Sequence, residues 1–182
     1  MDPSGAVSPP AAAAVTALRD RGWTLATAES LTAESLTAGL LAATVAEVPG
    51  ASAVLRGGLV VYATDLKHEL AGVPTEVLER HGAVSPETAR ALARGAALRC
   101  GADVGVGLTG VAGPEPQEGR PVGTVHVGLT VPGMEPWSVP LALTGDRSRI
   151  RTAACAAALE LVIAAATGEG TGDDDDGNES GS

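Results

Sequence analysis

Residues 26–39 read ATAESLTAESLTAG, and the fold turns on how this stretch is read. It follows a short apolar run, Trp23 to Ala26, and precedes a helical one, Leu40 to Val45. A polar segment between a strand and a helix sets hydroxyls beside first-turn N–H groups that have no partner within the helix. Those donors suit a developing oxyanion, so the place suits a nucleophile. The same Ser and Thr residues can equally cap the helix. TAES at 27–30 is followed at once by LTAES at 31–35, so Ser30 and Ser35 compete for one role.

Working outward, Pro9-Pro10 opens a helix with Val15 and Leu18 inward, ended by Gly22. Trp23 to Ala28 reads as the first strand, and the helix after the serine segment ends near Pro49-Gly50. Ser52 to Tyr62 reads as a second strand, with Gly57-Gly58 permitting a bulge. Thr64 is placed to cap a short helix over Asp65 to Ala71, closed by Gly72, and Pro74 starts another that runs to His81. Ser85-Pro86 opens a longer helix with Leu92, Ala96 and Leu98 on its inner side. Asp103 to Thr109 and Val122 to Val131 read as strands. In the second, Val125, Val127, Leu129 and Val131 share one face, opposite Val122, Thr124, His126, Gly128 and Thr130. Pro132-Gly133 turns the chain into an antiparallel partner, Pro136 to Leu143. The last helix, Asp146 to Ala166, carries the stripe Ile150, Ala154, Ala157, Leu161 and Ala165. Strands alternating with helices predict a single α/β domain, three-layer α/β/α, and the hairpin makes its sheet mixed. The domain spans 9–167, between a flexible N-terminus, 1–8, and a disordered acidic tail, 168–182.

The 182 residues carry a formal charge of −10, but residues 169–182 hold six of the 22 acidic groups and none of the 12 basic ones. The remaining −4 gives no footprint for nucleic acid. Cys100 and Cys155 lie in apolar helical surroundings and read as buried free thiols of a cytoplasmic protein. No basic leader opens the chain and no apolar run reaches membrane-spanning length, so no membrane contact is expected. His68, His81 and His126 show no ligand spacing, which argues against a metal.

Lys67 is the only lysine among twelve basic residues, and Tyr62, the only tyrosine, lies five positions earlier. Arginine stays protonated, whereas a partly buried lysine can lose its proton and act as a base. A serine beside a neutral lysine is a recognised hydrolytic pairing. Lys67 can also be an ordinary surface residue.

Several motifs in fixed order carry a resemblance. They are TAES twice with LTAGLLAA, VPGAS at 48–52, GGLVVYATDLK at 57–67, GAVS at 82–85, TGVAGP at 109–114, PVGTV at 121–125 and GDR at 145–147. In these the chain resembles the CinA C-terminal domain family, the nicotinamide-nucleotide amidohydrolases. The resemblance implies hydrolysis of the carboxamide of nicotinamide mononucleotide to the acid and ammonia, with no metal or organic cofactor. It makes the Ser of TAES the nucleophile, Lys67 its base and Tyr62 a third proton-handling or orienting group. Thr37, Gly39, Thr109, Gly110, Ala112, Gly113 and Arg147 then line the site for a small nucleotide, and relatives imply a homo-oligomer. Three departures stand out: the duplication, Ala38-Gly39 in place of a glycine pair, and Glu115 and Glu118 near a supposed phosphate.

Between the serines, counting back from the helix selects Ser35, because the extra residues then form a loop ahead of the site and leave the helix packing intact. Two other readings fit the same residues: a catalytically silent domain that binds a nucleotide or a protein, and a hydrolase of another amide.

Overall fold

A computed structural model describes residues 7–30 and 37–168. The expectations for residues 1–6, for the second copy of the serine motif at 31–36 and for the tail from 169 lie outside these residues.

The first helix, α1 (Pro9–Arg21), starts on its prolines and stops at Gly22, whose left-handed φ of 67° lets its N–H return to the carbonyl of Arg19. Strand β1 is Leu25–Ser30, later at both ends than Trp23 to Ala28. The difference has a pairing cause: Ser30 still has a partner, Val61, while Trp23 and Thr24 connect α1 to the sheet. After β1 come α2 (Leu40–Ala46), a single 3-10 turn at Ala51–Ala53, and β2 (Leu55–Val61). The register slips between Leu25↔Leu55 and Ala26↔Gly57, so the bulge falls at Arg56, just before the glycine pair.

Two short helices follow, α3 (Thr64–Glu69) and α4 (Thr75–His81), then the longer α5 (Pro86–Cys100). Thr64 lies inside α3 instead of capping it; Ala63 takes the cap position and offers no side-chain bond. Pro74 precedes α4 as its cap residue. Ser85 caps α5 as expected, accepting from the N–H of Thr88 at 3.2 Å. Leu98, assigned inward, is 70% exposed, because six residues past Leu92 brings a helix to its other side; Ala89, Leu92, Ala93 and Ala96 are the buried face.

The chain closes with β3 (Val104–Gly110), β4 (Thr124–Thr130), β5 (Trp137–Ala142) and α6 (Arg147–Thr167). The five strands lie in the order β2-β1-β3-β4-β5. Strands β2, β1 and β3 run parallel, and β4 and β5 are antiparallel, which is the mixed sheet of the sequence reading. Helices α1, α2 and α6 cover one face through Leu18, Leu41, Val45, Ile150 and Leu159, packed on Leu25, Val106, Leu108, Val127 and Leu129. Helices α3, α4 and α5 cover the other, where Ala26, Ala28, Val61, Leu92 and Ala96 meet.

The buried stripe of α6 is Ile150, Ala154, Ala158, Val162 and Ala166, so the expected Ala157, Leu161 and Ala165 are displaced to its flank. A run of alanines carries no periodic signal to separate the two sets. By length and composition α6, at 21 residues, is also apolar enough to cross a membrane, which corrects the expectation that no run is. Here its stripe packs on the sheet and on α1.

With so few large side chains, the sheet and α5 must come close. Gly105, Gly107 and Gly128 supply that approach: a Cβ on any of them would run into the backbone of α5 at Ala89, Arg90 or Ala93. Gly128→Ala is therefore expected to cost about 3 kcal/mol, since neither backbone can move aside. Urea unfolding measures it, and a loss below about 1 kcal/mol would show that α5 can lift off the sheet.

Candidate active site at the carboxyl ends of the parallel strands

The chain leaves β1 for β2 on one side and later returns to β3 on the other. In a parallel sheet a crevice opens where the order reverses in this way, beyond the carboxyl ends of the strands. Ser30, Val61 and Gly110 end the three strands there.

Alternation along β1 sends neighbouring side chains to opposite faces. Leu25, Thr27 and Glu29 face α2; Ala26, Ala28 and Ser30 face the layer of α3, α4 and α5. Glu29 is buried, and its carboxylate accepts from the N–H groups of Gly39 at 2.9 Å, Leu41 at 3.2 Å and Ala42 at 2.9 Å, and from Thr27 Oγ1 at 3.2 Å. The remaining first-turn donor, Leu40 N, bonds to the carbonyl of Thr37. A carboxylate at a helix N-terminus is favoured by both hydrogen bonds and dipole. It also consumes the donors that the sequence reading assigned to an oxyanion. The first copy of TAES is thus a strand whose glutamate caps α2, and the residues between Ser30 and Thr37 join the two. The choice of Ser35, and the extra residues placed in a loop ahead of it, fall on residues outside those described.

Ser30 is fully buried, and its Oγ has no hydrogen-bond partner among the described residues. Its register partner is Val61, and the carbonyl of Val61 accepts from Lys67 Nζ at 3.4 Å. The same amine reaches the carbonyls of Tyr62 at 3.3 Å and Ala63 at 3.5 Å. Lys67 therefore bonds to the residue that pairs with Ser30 in the sheet. Lys67 is 0% exposed, and burial lowers its pKa from 10.5 to about 8, against the opposing pull of Glu118 and Asp65. It is no ordinary surface lysine. Tyr62, half exposed, follows directly on β2.

Thr109, at the end of β3, is buried and donates to the carbonyl of Ala83 at 2.6 Å. A Cβ on Gly110 would stand 2.6 Å from the carbonyl oxygen of Thr124, so β3 and β4 can close there only on glycine. Ala112 is buried, and Gly113 offers its carbonyl to Arg147 Nη1 at 3.0 Å. On the α2 side, Thr37 is buried, and its Oγ1 has no partner among the described residues. Ala38 takes a left-handed φ of 44°, where its methyl costs about 1 kcal/mol. Gly39 follows at 88°.

Four participants were not singled out as site residues from sequence. Glu29 was quoted only as part of a motif. Arg151, one turn beyond Arg147, donates to the carbonyl of Thr37 at 3.2 Å and keeps its Nε unpartnered; the i, i+4 spacing was a signal for it. His126 pairs with Thr109 across β3 and β4, its Nδ1 is buried and unpartnered, and burial lowers its pKa. Glu118, feared as a repulsive neighbour of a phosphate, is instead tied down: Oε2 accepts from Ala83 N at 2.9 Å and Val84 N at 3.3 Å. Glu115 is exposed. No cluster of His, Cys, Asp or Glu among the described residues could hold a metal ion.

The chain is similar to known proteins in sequence and in fold. Residues 8–166 match the CinA C-terminal domain. A putative competence-damage inducible protein of Geobacillus kaustophilus is 46% identical over 138 residues, 75% of this chain and 32% of that protein. A CinA-like protein of Frankia casuarinae is 53% identical over 138 residues, 75% of this chain and 30% of that protein. The chain thus spans about a third of the length of these curated relatives. Among solved structures, a CinA superfamily protein of Klebsiella pneumoniae superposes with a TM-score of 0.81 at 29% identity, covering 87% of this chain and 96% of that one. The competence/damage inducible protein of Agrobacterium tumefaciens gives 0.78 at 36%, covering 85% and 92%. Matched along nearly all of its folded length in sequence and in architecture, the chain belongs to the CinA C-terminal domain family.

Proposed function

We propose that this domain is a Ser/Lys amidohydrolase that cleaves the carboxamide of nicotinamide mononucleotide, giving nicotinic acid mononucleotide and ammonia. The observation that carries the reading is the fully buried Lys67, whose amine bonds to the carbonyl of the residue paired with Ser30. With a pKa of about 8, roughly a tenth of this amine is neutral at pH 7, a useful fraction for a base.

In this reading neutral Lys67 takes the hydroxyl proton of Ser30 as the serine oxygen attacks the amide carbon. The resulting ammonium returns a proton to the departing nitrogen, which leaves as ammonia. Water then attacks the acyl-serine, Lys67 again accepting a proton and handing it back to the serine oxygen as the acid departs. Tyr62 orients or relays the proton. Arg147 and Arg151, on successive turns of α6, are the guanidinium groups available to a phosphate. Ser30 is preferred to Ser35 because Glu29, its chain neighbour, caps α2.

The direct test incubates the purified protein with nicotinamide mononucleotide and measures ammonia and nicotinic acid mononucleotide. Stoichiometric formation of both, rising through about pH 8 as Lys67 loses its proton, is expected. Ammonia from simpler carboxamides but not from the nucleotide would replace the substrate, and none from any amide would leave a binding domain.

A further inference from the structure

We propose that Arg151 and Thr37 form an anion subsite on the α6 side of the sheet, and that a phosphate bound there selects the substrate. The proposal deepens the hydrolase reading and rests on it for its consequence in turnover, though not for its direct test.

Arg147 and Arg151 lie one turn apart in α6, so their side chains leave the same face of the helix. Each spends one donor on the rim of the crevice. Arg147 Nη1 holds the carbonyl of Gly113 at 3.0 Å, beyond β3, and Arg151 Nη2 holds that of Thr37 at 3.2 Å, ahead of α2. Both guanidinium groups are partly buried, yet the ion pairs among the described residues, His81–Glu87 and Arg90–Glu87, include neither. A charge withdrawn from water ordinarily has a counter-charge. Glu29, the carboxylate at the start of α2, is already taken by three amides and a hydroxyl.

Two further atoms are left open at the same point. Arg151 Nε is buried without a bond among the described residues, and so is the hydroxyl of Thr37, the residue whose carbonyl Arg151 holds. Thr37 is 0% exposed, so its hydroxyl has given up water without gaining a bond among those residues. A guanidinium with an open N–H beside an open hydroxyl is a donor set for a phosphate. The subsite and the nucleophile belong to opposite faces of the sheet: Ser30 faces α3, α4 and α5, whereas Arg151 comes from α6. A ligand that engages both must cross the carboxyl edge of β1, as a carboxamide and a phosphate joined through a sugar can.

Nicotinic acid mononucleotide and nicotinic acid riboside differ only in the phosphate, and neither has an amide left to hydrolyse. Calorimetry should show wild type binding the mononucleotide about 10- to 100-fold more tightly than the riboside. Arg151→Met should bring that ratio to within about threefold of unity while moving the riboside affinity by no more than about twofold. Thr37→Val should lower the ratio in the same direction by a smaller factor. A wild type indifferent to the phosphate overturns the proposal. So does an Arg151→Met that weakens both ligands alike, which is what a merely structural clamp would do. If Arg151→Met does not fold, Arg151→Lys, which keeps the charge but not the fork, is measured instead. A ratio then unchanged from wild type overturns the proposal, as does failure of both variants to fold. If wild type binds neither compound, it is titrated with inorganic phosphate: binding that Arg151→Met or Arg151→Lys weakens sustains the subsite and removes the nucleotide, and no such binding overturns it. Phosphate selectivity in a protein that releases no ammonia sustains the subsite while removing the hydrolase reading.

Discussion

Replacing Lys67 with methionine is expected to reduce ammonia release by roughly a thousandfold or more, the scale of a lost general base. Lys67→Arg should do little better, because a guanidinium does not give up its proton. The same methionine should change how stability depends on pH. The folded pKa of Lys67, about 8, lies below its ordinary 10.5. Below pH 8 the amine is protonated whether folded or not, and the folded state bears the cost of burying an ammonium, on the order of 3 kcal/mol. Between pH 8 and 10.5 the unfolded chain binds more protons, so stability rises with pH, and above that range the cost is gone. Cys155 acts the other way, since burial pushes its thiol up and alkaline pH then favours unfolding. Both proteins carry Cys155, so its contribution cancels in the difference between them. Urea unfolding of wild type and Lys67→Met at pH 7.5, 9 and 10.5 should show wild type gaining on the variant by roughly 3 kcal/mol. A flat difference would mean that the amine is not strained by burial and is no base.

Ser30→Ala is expected to lose about a thousandfold or more in ammonia release, whereas Ser35→Ala stays within a few-fold of wild type. The alternation of β1 explains why. Once Glu29 caps α2, its neighbour Ser30 must face the opposite side of the sheet, where α3 and Lys67 lie. Moving the nucleophile to Ser35 would keep the spacing into the helix but surrender the strand position paired with Val61. Alanine removes one oxygen that has no hydrogen bond among the described residues, so Ser30→Ala should fold normally, which circular dichroism checks. An inactive Ser35→Ala beside an active Ser30→Ala would restore the choice made by counting from the helix.

The sequence by itself determined the α/β architecture, the hairpin that makes the sheet mixed, the cap at Ser85, the stop at Gly22 and the two faces of β4, because each follows from local periodicity or turn chemistry. It also singled out Lys67 and Tyr62 by their rarity. Leu98 and the stripe of α6 went astray where alanine-rich helices offer no periodic contrast, and Thr64 where a plausible cap lay one residue inside its helix. Only the tertiary structure decided what Glu29 and Glu118 do. Each carboxylate finds its partners on a segment distant in the chain, Gly39 to Ala42 for one and Ala83-Val84 for the other. No pattern in the sequence records which backbone amides a fold leaves open. The same holds for Lys67: its rarity can be read from the chain, but its burial depends on α3 lying against the end of β2. Desolvation, the cause of its lowered pKa, belongs to the packed structure alone.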